Sequence, residues 1–162
     1  MKTLYIIRHA KSSWKDMELN DFQRALNKRG KADAPLMGSV LKDKHIKTDI
    51  IYSSPALRAK TTAEIIAHVL KYEKKIEFKE EIYEASATTL HLLLTKIDDE
   101  NSTLFLFGHN PGLNMLVENY VDFDENIPTC GVVKIAFDTQ NWSKISKLNA
   151  KLISFDYPKK YK

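Results

Sequence analysis

The stretch LYIIRHAKSSW, residues 4–14, decides how the chain is interpreted, because its apolar run stops abruptly at an arginine and a histidine. Leu4–Ile7 is typical of a buried strand, and Arg8 and His9 follow it directly. Basic groups at the end of a core strand are unfavourable unless a partner satisfies them. The stretch therefore predicts a strand that carries two functional side chains to one edge of a sheet.

Two later segments repeat this strand-then-polar pattern. Residues 49–54, DIIYSS, are predicted to form a strand, followed by a helix that Ser54 caps and Pro55 opens, with Arg58 in its first turn. Residues 104–107 are predicted to form a fully apolar strand before a turn at 108–110 and a helix opened by Pro111. Each strand is thus expected to end in a turn and a helix N-terminus.

The remaining segments complete an alternation of strands and helices. A loop over residues 15–27 precedes a helix over 28–41, which Pro35 is expected to kink or to begin. The other predicted elements are a strand at 76–78, a helix containing 90–97, and closing strands within 131–137 and 143–155. This order predicts an α/β fold of three layers, α/β/α, with a mostly parallel sheet flanked by helices.

Composition limits the class of protein. The chain has 162 residues, of which 43% are hydrophobic and 28% charged, and it lacks a glycine- or proline-rich linker, so we expect one domain over 1–162. The run at 4–7 is too short for a signal peptide or a membrane span, which predicts a cytoplasmic protein with no membrane partner. We expect a monomer, because the chain is small and no apolar repeat invites pairing.

Charge and cysteine usage narrow the partners. The net charge of +4 permits an anionic partner, but the lysines are scattered and no basic stripe is interleaved with aromatics. Nucleic acid is therefore not the expected partner. The single cysteine, Cys130, can form no internal disulfide, and no histidine spacing suggests a metal site, so no metal and no cofactor are expected.

The predicted strand ends collect the chemistry of an anion site. Arg8 and His9 follow the first strand, Arg58 follows the second and His109 follows a later one. Ligands of open α/β sheets bind beyond the carboxyl ends of the strands, and each guanidinium offers a planar fork of donors suited to phosphate. Each residue alone has an ordinary structural explanation, but their joint placement predicts a phosphate pocket.

Three motifs carry a family resemblance, namely RHAKSSW from Arg8, SSPALRAKTTAEI from Ser53 and FGHNPGLN from Phe107. Together they resemble the histidine phosphatase superfamily, which has the phosphoglycerate mutase-like fold. The segment LNDFQRALNKRG, residues 19–30, is most similar to the small SixA-type phosphohistidine phosphatase branch. The resemblance spans residues 4–120.

The resemblance implies roles for the site residues. His9 would be the nucleophile, and Arg8, Arg58 and His109 would hold the phosphoryl group. The family's acid would fall on Glu84, in IYEASATTL. The further candidates for contacts to the substrate are Ser12, Ser13, Arg24 and Asn110.

Elementary chemistry supports these roles. A neutral imidazole can attack phosphorus without first losing a proton, so His9 needs orientation by a hydrogen bond more than activation. Phosphohistidine depends less on an enzyme acid than an ester does, because its leaving imidazole can be protonated on its own ring.

Ala10 and Lys15 depart from the mutase pattern, in which glycine and asparagine are usual near these places.

The sequence leaves several functional hypotheses open. The leading hypothesis is a metal-independent phosphatase that forms a phosphohistidine intermediate and removes the phosphoryl group from a phosphorylated protein, namely from a protein phosphohistidine. The alternatives are a phosphatase of small phosphomonoesters, such as sugar or nucleotide phosphates, and a phosphoprotein-binding module without turnover. The intact His9 argues against the binding module, because a binder needs the arginines but not a nucleophile.

Overall fold

The structure is a computed structural model that describes residues 1–15 and 18–162. Its strands are β1 (Lys2–Arg8), β2 (Ile50–Ser53), β3 (Glu77–Phe78), β4 (Thr103–Gly108), β5 (Val132–Phe137) and β6 (Ala150–Asp156). Its α-helices are α1 (Lys28–Asp43), α2 (Leu57–Val69), α3 (Ala87–Leu94) and α4 (Gly112–Tyr120). Short 3-10 helices lie at Asp21–Gln23, Glu80–Ile82, Trp142–Lys144 and Pro158–Tyr161. Within the described ranges, no helix is long and apolar enough to cross a lipid bilayer.

The six strands form one mixed sheet in the order β3-β2-β4-β1-β5-β6. The β3-β2, β2-β4 and β4-β1 pairs are parallel, and β5 runs antiparallel to both β1 and β6. The predicted α/β fold with a mostly parallel sheet is confirmed. Because β1, β2 and β4 are parallel, their carboxyl ends meet at one edge of the sheet, as the strand-end motifs require.

Helices cover both faces of the sheet, so the fold has the predicted three layers. Strand β1 alternates between the two cores: Leu4 and Ile6 pack in the core beneath α3 and α4, whereas Tyr5 and Ile7 pack in the core beneath α1 and α2. Burial on both faces explains why β1 is an unbroken apolar run instead of an alternating one. The strand is therefore a rigid support for the residues that follow it.

Some element boundaries differ from the sequence-based expectation. Helix α1 is continuous through Pro35, which neither begins nor ends it. The prediction that Ser54 caps α2 is wrong, because Ala56 occupies the N-cap position and the helix begins at Leu57. The closing strand begins only at Ala150, since a 3-10 helix and a turn occupy the first half of the predicted segment.

The N-terminus of α1 packs against the segment that follows His9. The Asn27 side chain caps the helix by accepting from the Gly30 amide at 2.9 Å, and the Asn27 amide donates to the Lys11 carbonyl at 3.0 Å. A β-carbon on Gly30 would overlap the Lys11 carbonyl oxygen. Only glycine permits this close approach, which joins α1 to the segment that follows His9.

Candidate active site

A cleft of about 610 Å³ lies beyond the carboxyl ends of β1, β2 and β4. It brings together most of the residues singled out in the sequence: Arg8, His9, Ser12, Arg24, Arg58, Glu84, His109 and Asn110. Ser13 does not line the cleft; its carbonyl accepts from Arg24 Nε at 3.2 Å and its hydroxyl accepts from the Lys15 amide at 3.1 Å. Arg8, His9, Arg58 and His109 thus share one cavity, as expected from the parallel topology.

His9 is held in one tautomer by the backbone. Its Nδ1 lies 2.7 Å from the carbonyl oxygen of Ala10, and because a carbonyl can only accept, Nδ1 carries the ring proton. The Nε2 lone pair of the neutral ring is therefore left available in the cleft. The His9 amide donates to the Gly108 carbonyl at 3.1 Å, and the Cys130 amide donates to the His9 carbonyl at 3.0 Å, so the backbone is fixed as well.

His109 faces His9 across the cleft, with ring centroids 5.3 Å apart. Its Nε2 lies 2.7 Å from the Ser54 hydroxyl, which already accepts a bond from the Ala56 amide. Assigning the Ser54 proton to His109 Nε2 places the His109 ring proton on Nδ1, a buried atom with no partner within residues 1–15 and 18–162. Ser54 therefore orients His109 instead of capping a helix.

Two arginines of the site, Arg8 and Arg58, also carry N–H donors that have no acceptor among the described residues. Arg8 Nη1 donates to the Ile127 carbonyl at 2.9 Å, while Arg8 Nε is buried with no partner among the described residues. The same holds for Arg58 Nε, and the Arg58 side chain is only 7% exposed. Buried donors that lack an acceptor are costly, and they cluster here in one cationic cavity. Such donors are what an oxyanion of several oxygens can satisfy.

An acidic residue of the site, Asp21, was not predicted from the sequence. Its carboxylate accepts from Arg58 Nη2 at 3.0 Å, from Arg24 Nη1 at 2.9 Å and from the Tyr83 hydroxyl at 2.7 Å, and its carbonyl accepts from Arg58 Nη1 at 2.6 Å. The position of Asp21 three residues before Arg24 weakly indicates an ion pair between the two residues. The bonds of Asp21 to Arg58 and Tyr83 join distant parts of the chain, so no local sequence pattern indicates them.

Arg24 is fully engaged within the protein. Besides Asp21, its guanidinium contacts the Ser12 hydroxyl and the Ser13 carbonyl, and its Cζ lies 3.2 Å from the centroid of the Trp14 ring. The Trp14 side chain is 69% exposed at the mouth of the cleft. Arg24 therefore braces the loop that carries Ser12, and Ser12 keeps its own hydroxyl proton free to donate.

Glu84 and Asn110 occupy the rim. Glu84 is exposed and has a φ of 56°, a left-handed conformation that is uncommon for a glutamate. The Asn110 carboxamide is used by the fold, since Oδ1 accepts from the Asn114 amide and Nδ2 donates to the Ile127 carbonyl, at 3.1 Å each. Of these two, Glu84 has the side chain better placed to meet a substrate.

Burial and neighbouring cations lower the pKa of both histidines. Burial, with smaller contributions from His109 and the arginines, lowers the pKa of His9 to about 3. Burial and then the Arg58 charge lower the pKa of His109 to about 4. Both rings are therefore neutral near pH 7. Among the described residues, no group of three or more His, Cys, Asp or Glu side chains has an arrangement able to hold a metal ion.

These pKa values give a first prediction. Two imidazole NMR signals, identified by their loss in His9→Ala and His109→Ala, should show no protonation shift between pH 8 and pH 5. Because the unfolded state binds these protons first, the free energy of unfolding should fall as the pH drops below about 6.5, by roughly 1 kcal/mol per pH unit for each ring. A midpoint near 6.5 for either signal would contradict the described burial.

Comparison with known proteins agrees with this geometry. Residues 4–125 match the histidine phosphatase superfamily (branch 1), and the chain belongs to that family. An uncharacterised chloroplast protein of Arabidopsis thaliana is 28% identical over 157 residues, which are 91% of this chain and 72% of that protein. The predicted superfamily is therefore confirmed.

Solved structures place the fold within this family. The SixA protein of Agrobacterium tumefaciens matches with a TM-score of 0.84 and 26% identity over 97% of this chain and 98% of that one. The protein histidine phosphatase SixA bound to tungstate matches with a TM-score of 0.85 and 19% identity over 99% of both chains. The predicted SixA-type, phosphoglycerate mutase-like fold is confirmed, and a phosphatase is the class of enzyme that family and fold support.

Proposed function

We propose that the protein is a metal-independent phosphatase that removes phosphoryl groups from protein phosphohistidine through a phosphorylated His9. The observation that carries this proposal is the hydrogen bond from His9 Nδ1 to the Ala10 carbonyl, which leaves Nε2 unprotonated in a cavity lined by Arg8, Arg58 and His109. A binding site alone needs the cations but gains nothing from a fixed, neutral imidazole.

The chemistry follows from this arrangement. His9 Nε2 donates its lone pair to phosphorus, and the bond from phosphorus to the substrate's ring nitrogen breaks, with the electron pair leaving on that nitrogen. Arg8, Arg58 and the Nδ1–H of His109 stabilise the three equatorial oxygens, on which charge spreads in the transition state. Water then attacks phospho-His9, and the electron pair of the broken bond returns to Nε2. The products are phosphate and the free enzyme.

The substrate class is argued from the leaving group and the rim. An ester needs a proton donor at its leaving oxygen, and Glu84, the candidate for that role, is solvent-exposed. A phosphohistidine can leave as neutral imidazole after protonation of its own ring, so it does not require that donor. The mouth of the cleft carries the exposed Trp14, a side chain suited to contact a macromolecule. Protein phosphohistidine fits both features.

The test compares three phosphodonors at equal enzyme: a phosphohistidine peptide, a phosphoserine peptide of matched sequence and para-nitrophenyl phosphate. We expect kcat/KM for the phosphohistidine peptide to exceed that for the phosphoserine peptide by roughly 10²-fold or more, the usual worth of a missing general acid. Activity should persist in the presence of a chelator. Equal or reversed preference between the peptides would contradict the phosphohistidine substrate, turnover of para-nitrophenyl phosphate alone would favour small phosphomonoesters, and binding without turnover of any donor would make the protein a binding module.

A second prediction concerns Glu84. If it serves ester substrates as an acid, Glu84→Gln should lower turnover of the phosphoserine peptide by roughly 10²-fold and that of the phosphohistidine peptide far less. The matched control is Glu81→Gln, an exposed neighbour that does not line the cleft. Equal turnover of the phosphoserine peptide by wild type and Glu84→Gln would remove Glu84 from the mechanism.

A further inference from the structure

Asp21 lies where two cationic side chains of the site converge. Arg58 donates from Nη1 to the Asp21 carbonyl and from Nη2 to the carboxylate, so both terminal nitrogens of its fork are held by one residue. Arg24 donates to the other carboxylate oxygen. A single aspartate thus fixes two guanidinium planes that belong to different elements, the loop before α1 and the first turn of α2.

The same carboxylate is itself held in place. The Tyr83 hydroxyl donates to Oδ2, and the Phe22 ring packs edge-on against the Tyr83 ring with centroids 5.2 Å apart. Burial opposes ionisation, but hydrogen bonds from Tyr83, Arg58 and Arg24 bring the pKa of Asp21 to about 2. Asp21 is therefore ionised near neutral pH.

We propose that Asp21 is a positioning residue, which acts on the reaction through Arg58 and Arg24 and not by contact with the substrate. With one N–H of each terminal nitrogen held by Asp21, the donors that Arg58 keeps are the remaining Nη hydrogens and its buried Nε, which has no partner among the described residues. Asp21 thereby decides the edge that Arg58 offers to a phosphoryl group. The proposal rests on the proposed phosphatase function.

A positioning role predicts a particular kinetic signature. Asp21→Asn keeps the shape of the side chain but removes the charge and one acceptor, so Arg58 keeps its bond to the Asp21 carbonyl and loses the charged partner that fixes the plane of its guanidinium. Because misplacement of such a group harms the transition state more than the ground state, kcat should fall by roughly 10²-fold while KM changes less than about threefold. The probes are phosphoramidate and para-nitrophenyl phosphate, which do not depend on the phosphohistidine preference.

A double-mutant cycle separates positioning from a general structural role. In an Arg58→Ala background, Asp21→Asn should cost less than about threefold in kcat, since Arg58 is gone and Arg24 alone remains for Asp21 to position. The matched control is Asp156→Asn, because Asp156 also accepts from a cation and a tyrosine, Lys44 at 2.8 Å and Tyr161 at 2.6 Å, but outside the cleft. That variant should keep wild-type kcat within about twofold.

NMR spectroscopy tests the positioning role of Asp21 without any measurement of turnover. Guanidinium NMR signals of Arg24 and Arg58, identified by their loss in Arg24→Ala and Arg58→Ala, should show separate Nη resonances in wild type because the hydrogen bonds hinder rotation. In Asp21→Asn they should broaden and move toward each other, because the charged acceptor is gone while Arg58 keeps its bond to the Asp21 carbonyl. Should that variant unfold, Tyr83→Phe removes only the phenol's bond to Asp21 and should lower kcat roughly two- to tenfold.

Several results would overturn the proposal. Unchanged Arg58 NMR signals in Asp21→Asn would contradict it, as would a raised KM at constant kcat. A raised kcat would instead make Asp21 a competitor of the phosphoryl group for Arg58. The full effect of Asp21→Asn in the Arg58→Ala background would show that Asp21 does not act through Arg58. Failure of the Asp21 proposal would leave the phosphorylated His9 intact. Failure of the proposed function would appear instead as loss of that adduct from the wild-type protein.

Discussion

His9→Ala is expected to abolish the phosphorylated enzyme and to lower turnover by roughly 10⁴-fold or more, because it removes the proposed attacking nitrogen. Rapid acid and base quenches after incubation with a radiolabelled phosphodonor should reveal an acid-labile, base-stable adduct in wild type only. The variant should still bind phosphate, because Arg8, Arg58 and His109 remain in the cavity.

The control for this experiment is His68→Ala, since His68 is an exposed residue of α2 away from the cleft. It should retain both adduct and turnover. Thermal melting of His9→Ala should confirm that the fold persists. If wild type hydrolyses a phosphodonor and no adduct appears under either quench, the covalent mechanism is wrong; an adduct in His9→Ala would move the nucleophile elsewhere.

Gly30→Ala is expected to destabilise the protein by about 3 kcal/mol, although the substitution improves intrinsic helix propensity. The new β-carbon would overlap the Lys11 carbonyl oxygen, and neither backbone can move easily. One side is the capped first turn of α1, and the other is bonded to Asn27 within the loop after His9. Urea denaturation monitored by circular dichroism measures the loss as a lower midpoint.

Ser39→Ala serves as the matched control, because Ser39 is exposed in the middle of α1. Its free energy of unfolding should stay within about 0.5 kcal/mol of wild type. Wild-type stability of Gly30→Ala would mean that the helix and the loop are not in contact as described.

The sequence predicted the fold well because the signals for it are local. The central parallel strands β1, β2 and β4 contain short apolar runs and the helices have a 3.6-residue period, so the alternation of elements and the layered sheet follow from patterns within one segment. Boundaries were less accurate where neighbouring groups compete for the same backbone. Ser54 has the residue type of an N-cap, but its hydroxyl also bonds His109 Nε2 and the helix begins three residues later.

The placement of Arg8, His9, Arg58 and His109 in one cavity could also be predicted, since side chains that follow parallel strands must meet at one sheet edge. Their roles in the reaction stay predictions. What the pattern could not supply was the state of each donor. That the ring proton of His9 is on Nδ1, and that Arg24 is fully engaged by the loop, depend on hydrogen bonds formed only in the folded chain.

The local patterns were thus sufficient to predict a strand that ends in a candidate nucleophile, the family of the chain and the cationic residues around the site. How those cationic side chains are held depends on contacts between distant segments. Asp21 meets Arg58 across 37 residues of chain and Tyr83 across 62, and no periodicity encodes such a contact. It exists because the loop before α1 folds over the sheet edge, where an ionised carboxylate is stabilised by the arginines that it orients.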